Sequence, residues 1–335
     1  MTDLTQPLEA NKPFAALTPD CLLNAMDSVG LHGDGRLLAL NSYENRVYQV
    51  GMEEGAPRVV KVYRPGRWSD AAILEEHAFL QELADAELPV VPPLPLGAGR
   101  TLHYFDGFRF AVFPRQGGWA PELTDASTLE RMGRLLGRVH AVGALRPYQH
   151  RPTLDVGHFG VDSRDCVSAC PLMPGEMLEP YRSISGMALD KIAAIFQRAG
   201  DVQTLRLHGD CYPGNILWAD DGPHLVDFDD SRMGPAIQDL WMLLSGDRAE
   251  RNRQLMDLMA GYEDFYEFDV REIQLIEALR TLRMMHYAAW LARRWDDPAF
   301  PLAFPWFDTP RYWQQHLIEL REQVAAMDEP PLWSC

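Results

Sequence analysis

Leu207-His208-Gly209-Asp210-Cys211-Tyr212-Pro213-Gly214-Asn215-Ile216 is followed, after one short turn, by Leu225-Val226-Asp227-Phe228-Asp229. Arg206-Leu207-His208 and Leu225-Val226 read as short strands that bear polar residues at their ends, and the Cys211-Tyr212-Pro213-Gly214 loop and an Asp220-Asp221-Gly222-Pro223 turn lie between them. Side chains mounted in this way stand on loops carried by a scaffold, where binding and catalytic groups concentrate.

Asp210 and Asn215 are five positions apart, and Asp227 follows on the next strand. Phosphoryl transfer needs one carboxylate at the attacking hydroxyl and separate oxygen ligands for a magnesium ion, which takes near-octahedral oxygen coordination. An Asp and an Asn at this spacing also describe an ordinary turn held by side chain to backbone hydrogen bonds. Asp227 in the expected place decides for the chemistry: Asp210 serves the acceptor, while Asn215 and Asp227 hold metal. Asp229 has two readings, a ligand for a second metal ion or a partner of nearby backbone amides. His208 reads as a core residue that orients the loop. Asp239, ahead of Leu240-Trp241-Met242-Leu243-Leu244, reads as a helix-cap carboxylate that also bonds the backbone of the Asp210 loop.

Upstream, Leu37–Leu40, Arg46–Val50 and Arg58–Tyr63 alternate with turn residues and predict a small antiparallel sheet. Only three lysines occur, and Lys61 stands inside the apolar run Val59-Val60-Lys61-Val62-Tyr63. From Asp70 to Leu88 the residues Ile73, Glu76, Leu80 and Leu83 share one helical face, with Asp70 as cap and Pro89 as stop. A lysine on a strand, followed by a helix with an inward carboxylate, suits a pair that grips nucleotide phosphates. Asn41-Ser42-Tyr43-Glu44-Asn45 lies where a phosphate-covering loop belongs but has no glycines, so Ser42, Asn45 and backbone amides take that part.

Two more strands are predicted at Thr101–Tyr104 and Phe108–Phe113, and the pattern breaks at Pro114-Arg115-Gln116-Gly117-Gly118. Beyond it, Leu129, Met132, Leu135, Leu136 and Val139, and the runs Ile192–Phe196, Ile237–Leu244 and Ile273–Leu291, have helical period. The expectation is an α+β, bilobal fold: residues 1–114 form a nucleotide-binding lobe of antiparallel sheet with one helix, and 115–335 a larger, mainly helical lobe for catalysis and substrate.

The 335 residues carry 31 Lys and Arg against 48 Asp and Glu, a net charge of −17 that repels phosphate backbones and argues against nucleic acid or anionic membrane as partners. No apolar run is long enough to span a bilayer, and the N-terminus lacks the pattern of a secretion signal. Cys21, Cys166, Cys170, Cys211 and Cys335 are odd in number and scattered, as reduced thiols of a cytoplasmic protein would be.

The ordered set Lys61, Glu76, His208-Gly209-Asp210, Asn215 and Asp227 resembles the aminoglycoside and choline kinase branch of the protein-kinase-like fold. More narrowly, Asn41-Ser-Tyr-Glu-Asn-Arg-Val-Tyr48, Val59-Val-Lys-Val-Tyr-Arg-Pro65, Gly214-Asn-Ile-Leu-Trp218, Gly234-Pro-Ala-Ile-Gln-Asp-Leu-Trp241 and Trp290-Leu-Ala-Arg-Arg-Trp295 are similar to the bacterial stress response kinase A family. That resemblance implies a cytoplasmic, monomeric Ser/Thr protein kinase that uses ATP with Mg²⁺ or Mn²⁺. It further implies Asp210 as proton acceptor, Asn215 and Asp227 as metal ligands, and Ser42 near the ATP phosphates. Gly209 stands where kinases commonly have Arg, Asp229 where they have Gly, and there is no Ala-Pro-Glu element. The short span from Asp229 to Asp239 leaves no room for a long activation loop, so the acceptor has two readings, a protein hydroxyl or a small alcohol such as choline, homoserine or an aminoglycoside. A scaffold that binds ATP without turnover is the third.

Overall fold

The computed structural model describes residues 12–333; Cys335 and the chain up to Asn11 lie outside the described residues. The chain divides into two compact units. The first takes the chain up to Trp119 together with Leu217–Asp229 and Asp296–Ala299, and the second takes the remainder.

The first unit is built on a five-stranded antiparallel sheet in the order β1-β2-β3-β5-β4, with β1 at Gly33–Ala39, β2 at Arg46–Met52, β3 at Arg58–Tyr63, β4 at His103–Phe105 and β5 at Phe108–Pro114. Alternation along the central strand β3 sends Val60 and Val62 to one face, where Val50, Phe110 and Val112 join them in a core with Leu22 and Met26. Lys61 and Tyr63 go to the opposite face. The residue paired with Lys61 on β5 is Ala111, whose small side chain leaves space beside the ammonium.

Two helices flank this sheet, one more than the sequence reading contains. Helix α1 (Pro19–Asp27) is short, which hides its period, and it is capped by Thr18 accepting from the Cys21 amide. Helix α2 (Asp70–Asp85) buries Ile73, Glu76, Phe79, Leu80 and Leu83. Its cap is Ser69, which accepts from Ala72 N–H, rather than Asp70; the latter sits in the first turn, where its charge suits the helix dipole.

A late part of the chain is stitched into this first unit. Strand Ile216–Ala219 turns into Gly222–Leu225, Trp218 exchanges backbone hydrogen bonds with Trp119 (2.8 and 3.2 Å), and Leu225 N–H donates to the Pro89 carbonyl at 2.9 Å. Phe228 is buried and meets Phe79 of α2 edge to face. These contacts carry Asp227 and Asp229 with them.

The second unit is helical: α3 (Ala126–Gly143), α4 (Asp162–Ser168), α5 (Gly175–Ala199), α6 (Ile237–Trp241), α7 (Arg248–Tyr262), α8 (Ile276–Arg294), α9 (Ala299–Ala303), shared at its first residue with the other unit, and α10 (Pro310–Ala326). Leu205–Arg206 and Met233–Gly234 pair as a minimal antiparallel sheet beneath the Asp210 loop. Helices α3 and α7 lie backbone to backbone because Gly133 and Gly261 face each other's helix; a Cβ on either would collide with a carbonyl oxygen, of Leu258 or of Glu130. No helix among the described residues is long and apolar enough to cross a membrane.

Replacing Gly133 by Ala therefore forces α3 and α7 apart. The expected cost is about 1–3 kcal/mol, the usual penalty of overpacking, visible as a lowered thermal midpoint, whereas the exposed Gly175→Ala leaves the midpoint near that of the parent protein.

Candidate active site

In the first unit the chemistry gathers around Lys61. Its ammonium is buried and lies 3.5 Å from Glu76 Oε1, 3.1 Å from Asp227 Oδ1 and 3.1 Å from Asp229 Oδ1. Burial alone would lower the pKa of Lys61, but the charges of Asp229, Glu76 and Asp227 outweigh it and hold the group well above its ordinary value. The pairing continues outward. Asp229 Oδ2 meets Arg67 at 2.8 Å, Arg67 reaches Glu44 at 3.4 Å, Glu44 meets Arg64 at 3.1 Å, and Arg64 meets Asp297 at 2.7 Å. Arg46 closes the chain on Asp297 at 3.2 Å.

In this network four cations, Lys61, Arg46, Arg64 and Arg67, face five carboxylates, Glu44, Glu76, Asp227, Asp229 and Asp297. Glu76 and Asp229 are buried, so the surplus negative charge is exposed at Asp227, whose side chain is 52% accessible. Asp227 also has a left-handed backbone, φ 59°, a conformation that Asp tolerates better than most residues. Each oxygen of Asp229 faces a cation of the protein itself.

The loop ahead of β2 is shaped from within. Asn45 is buried and its side-chain oxygen accepts the Arg64 N–H at 3.0 Å, while Arg64 donates to the carbonyls of Glu44 and Tyr43. Ser42 Oγ donates to the Asn45 carbonyl at 3.3 Å. Asn45 is thus the anchor of this loop, with Ser42 nearer its tip.

In the second unit the organising group is Asp239, fully buried in the first turn of α6. One oxygen accepts the N–H of His208 and the other that of Gly209, both at 2.8 Å. His140 of α3 supplies a further contact to Asp239 at 3.1 Å and is itself bonded to Tyr262 of α7 at 2.8 Å. Three helices thereby grip the backbone of the Asp210 loop. Burial pushes the Asp239 carboxyl up, but the hydrogen bond and charge of His140, His208 and the Gly209 amide together bring it below the usual carboxylate range. His208 is buried and its Nδ1 accepts from Asp210 N–H at 3.3 Å. Gly209 has φ 87°, and a Cβ there would run into the Asp230 carbonyl, which explains why Arg is absent from this position.

Asp210 emerges from this support. Asn215 donates through Nδ2 to the Asp210 carbonyl at 2.9 Å and to its Oδ2 at 3.3 Å. The amide nitrogen of Asn215 is committed in this way, so its Oδ1 is the atom left for a cation. The other oxygen of Asp210 contacts Nη1 of Arg283, from α8. Burial pushes the Asp210 carboxyl up; Arg283 pulls it back, Asp230 adds to the rise, and the net position is above the ordinary one.

Arg283, Arg67 and His140 do not figure in the sequence reading. Arg283 and His140 had a signal there, a charged or polar residue inside a run of helical apolar period, as Lys61 is within its strand. Arg67 had none.

The sequence pattern of the phosphotransferase enzyme family matches residues 36–276, and this chain belongs to that family. It is a kinase by that membership. Within the family it is 44% identical over 319 residues to stress response kinase A of Escherichia coli strain K12, covering 95% of this chain and 96% of that one. The serine/threonine protein kinase RdoA of Salmonella typhimurium strain LT2 matches with the same identity and coverage. Among solved structures, the amicoumacin kinase hAmiN, in complex with AMP-PNP, Ca²⁺ and Ami, superposes with a TM-score of 0.71 at 18% identity, covering 93% of this chain and 95% of the other.

Asp239→Asn keeps the shape but loses the charge that the two amides and His140 face. Removing one partner from such a buried set costs about 3–5 kcal/mol. The folded pKa of Asp239 is depressed, so its contribution to stability is complete above the unfolded carboxylate value, about 3.9. It is lost as pH falls toward the lower folded value. Urea titrations from pH 3 to pH 7 should show that the variant loses this acid-side dependence.

Proposed function

We propose that this protein is an ATP- and Mg²⁺-dependent kinase that phosphorylates Ser or Thr hydroxyls of proteins. The observation that carries the reading is the buried Lys61, paired with Glu76 and facing Asp227 and Asp229. A buried ammonium with an exposed carboxylate beside it suits a phosphate chain accompanied by a divalent cation. Lys61 takes the α- and β-phosphates, steadied by Glu76, and Ser42 with Asn45 and nearby amides covers them.

Asn215 Oδ1 and the Asp227 carboxylate are hard oxygen donors and fit Mg²⁺, with Mn²⁺ as a chemical substitute. Bound magnesium would neutralise charge on the phosphates as the γ-group departs. Asp229 acts as a tether between Lys61 and Arg67, since both its oxygens already face cations. Asp210 accepts a hydrogen bond from the acceptor hydroxyl and aligns its oxygen for attack, so catalysis is positioning plus electrostatics. His208 and Asp239 fix that geometry without touching the substrate.

The protein acceptor is supported by end-to-end similarity to a chain named as a serine/threonine kinase. A second reading, a small-alcohol kinase, is favoured by the short connection from Asp230 to α6 at Ile237, which holds only the Met233–Gly234 strand. Under either reading the protein works as a cytoplasmic monomer.

Incubation with γ-labelled ATP and Mg²⁺, with and without a generic protein acceptor, decides between them. Phosphoserine or phosphothreonine that disappears in Asp210→Ala establishes the protein kinase, and label confined to added alcohols establishes the second reading. Asp210→Ala should cut transfer by at least a hundredfold while nucleotide affinity persists, whereas Asp227→Ala weakens Mg²⁺-dependent nucleotide binding as well. Asp210 works ionised and its carboxyl is raised by burial, so the acid limb of the pH–rate profile should lie above the usual carboxylate range. An acid limb near pH 4 would contradict this role.

A further inference from the structure

Arg283 has no part in the transfer chemistry just described, yet its guanidinium is in contact with the carboxylate that aligns the acceptor. The contact uses one nitrogen, Nη1. Among the described residues the other guanidinium nitrogens make no hydrogen bond, and the side chain is 42% accessible. A partner meant only to neutralise Asp210 would be expected to lie as deeply as Arg67 does beside Asp229, with 13% of its side chain accessible. Arg283 instead presents an open, planar fork at the place where a hydroxyl must arrive, and that fork matches the oxygens of a carboxylate or phosphate.

Around it lie an aromatic ring and a neutral imidazole, because burial, with the charge of Arg232, holds the His286 pKa down at about 3. His286 lies one turn further along α8 and stacks on Phe159 at 4.3 Å, while Arg232 sits over the same ring at 4.7 Å. Asp230, a carboxylate whose charge acts on Asp210, is already matched by Arg232 at 2.6 Å. A chain with a net charge of −17 thus keeps an accessible cation at the one carboxylate that receives the acceptor. An acidic group beside the incoming hydroxyl gains a charge-assisted contact there, and an ammonium is repelled.

We infer that Arg283 is a specificity-determining residue that selects Ser or Thr hydroxyls with an acidic side chain, a carboxylate or a phosphate, close by in the sequence. This rests on the kinase reading above and names the acceptor class of that same site.

The test uses the full chain and three peptides that differ only in the residues flanking one Ser: Glu, Gln or Lys. Wild type, Arg283→Gln and Arg283→Glu are compared in kcat and KM for each peptide, and in KM for ATP. The wild type should favour the Glu peptide over the Lys peptide by about tenfold or more in kcat/KM, the worth of one charge-assisted contact, chiefly through KM. Arg283→Gln should flatten the order and Arg283→Glu reverse it, with KM for ATP unchanged. A parallel set of ω-hydroxy compounds ending in a carboxylate, an amide or an ammonium should show the same order if the acceptor is a small molecule.

A flat wild-type order, a preference for Lys, or variants that depress all acceptors by one factor would overturn the inference and leave the kinase reading standing. A wild type that transfers phosphate to no acceptor would remove the kinase reading, and this inference with it.

Discussion

An ammonium buried on the middle strand of a sheet is the constraint on which the first unit depends. Desolvating one charge costs several kcal/mol in real proteins, so Lys61 is tolerable only among close carboxylates. One comes from α2, and two come from a segment that the chain reaches only after passing through Ala120–Ile216 of the second unit. The hairpin leading to that segment is held by Trp119 and Pro89, and Phe228 locks its end against Phe79. Local packing therefore delivers Asp227 and Asp229 to Lys61, and the ionic chain through Arg67, Glu44 and Arg64 ties the same point to the loop ahead of β2 and to Asp297.

The second unit solves the converse problem with a buried anion. Asp239 is dry, and its two oxygens are satisfied by consecutive backbone amides and a histidine. That arrangement fixes the backbone at Gly209 in a left-handed turn and leaves Asp210 just beyond it, its Oδ2 accepting from Asn215 and its Oδ1 facing Arg283. The separation of labour is physical: Asp239 bears the desolvation and the structural hydrogen bonds, and Asp210 keeps its carboxylate for other partners. Arg283 takes one of them.

Much of this was legible because charge inside an apolar pattern is expensive and therefore informative. Lys61 stood out from a run of valines, Glu76 from a helical face of Ile73, Leu80 and Leu83, and both are buried. The five strands followed from alternation and turn residues. Helix α1 did not, since nine residues hold too few periods, and the cap of α2 fell to Ser69 although Asp70 is an equally good capping type. Arg67 was illegible: a single Arg after a Pro-Gly turn reads as surface, and only its proximity to Asp229 and Glu44 gives it a partner.

By itself, then, the sequence determined which polar groups stand out, the Lys61 ammonium and the oxygens of Asp210, Asn215 and Asp227 on their loops, because residue type and short-range spacing are enough to specify donors and their order along the chain. Tertiary structure alone decided ownership and pairing. It assigned Leu217–Asp229 to the sheet unit, joined Asp239 to the amides of His208 and Gly209, and brought Arg283 from α8 to Asp210. Such partners are far apart in the chain, and their meeting is set by packing and by the need to match buried charge, which no local pattern encodes.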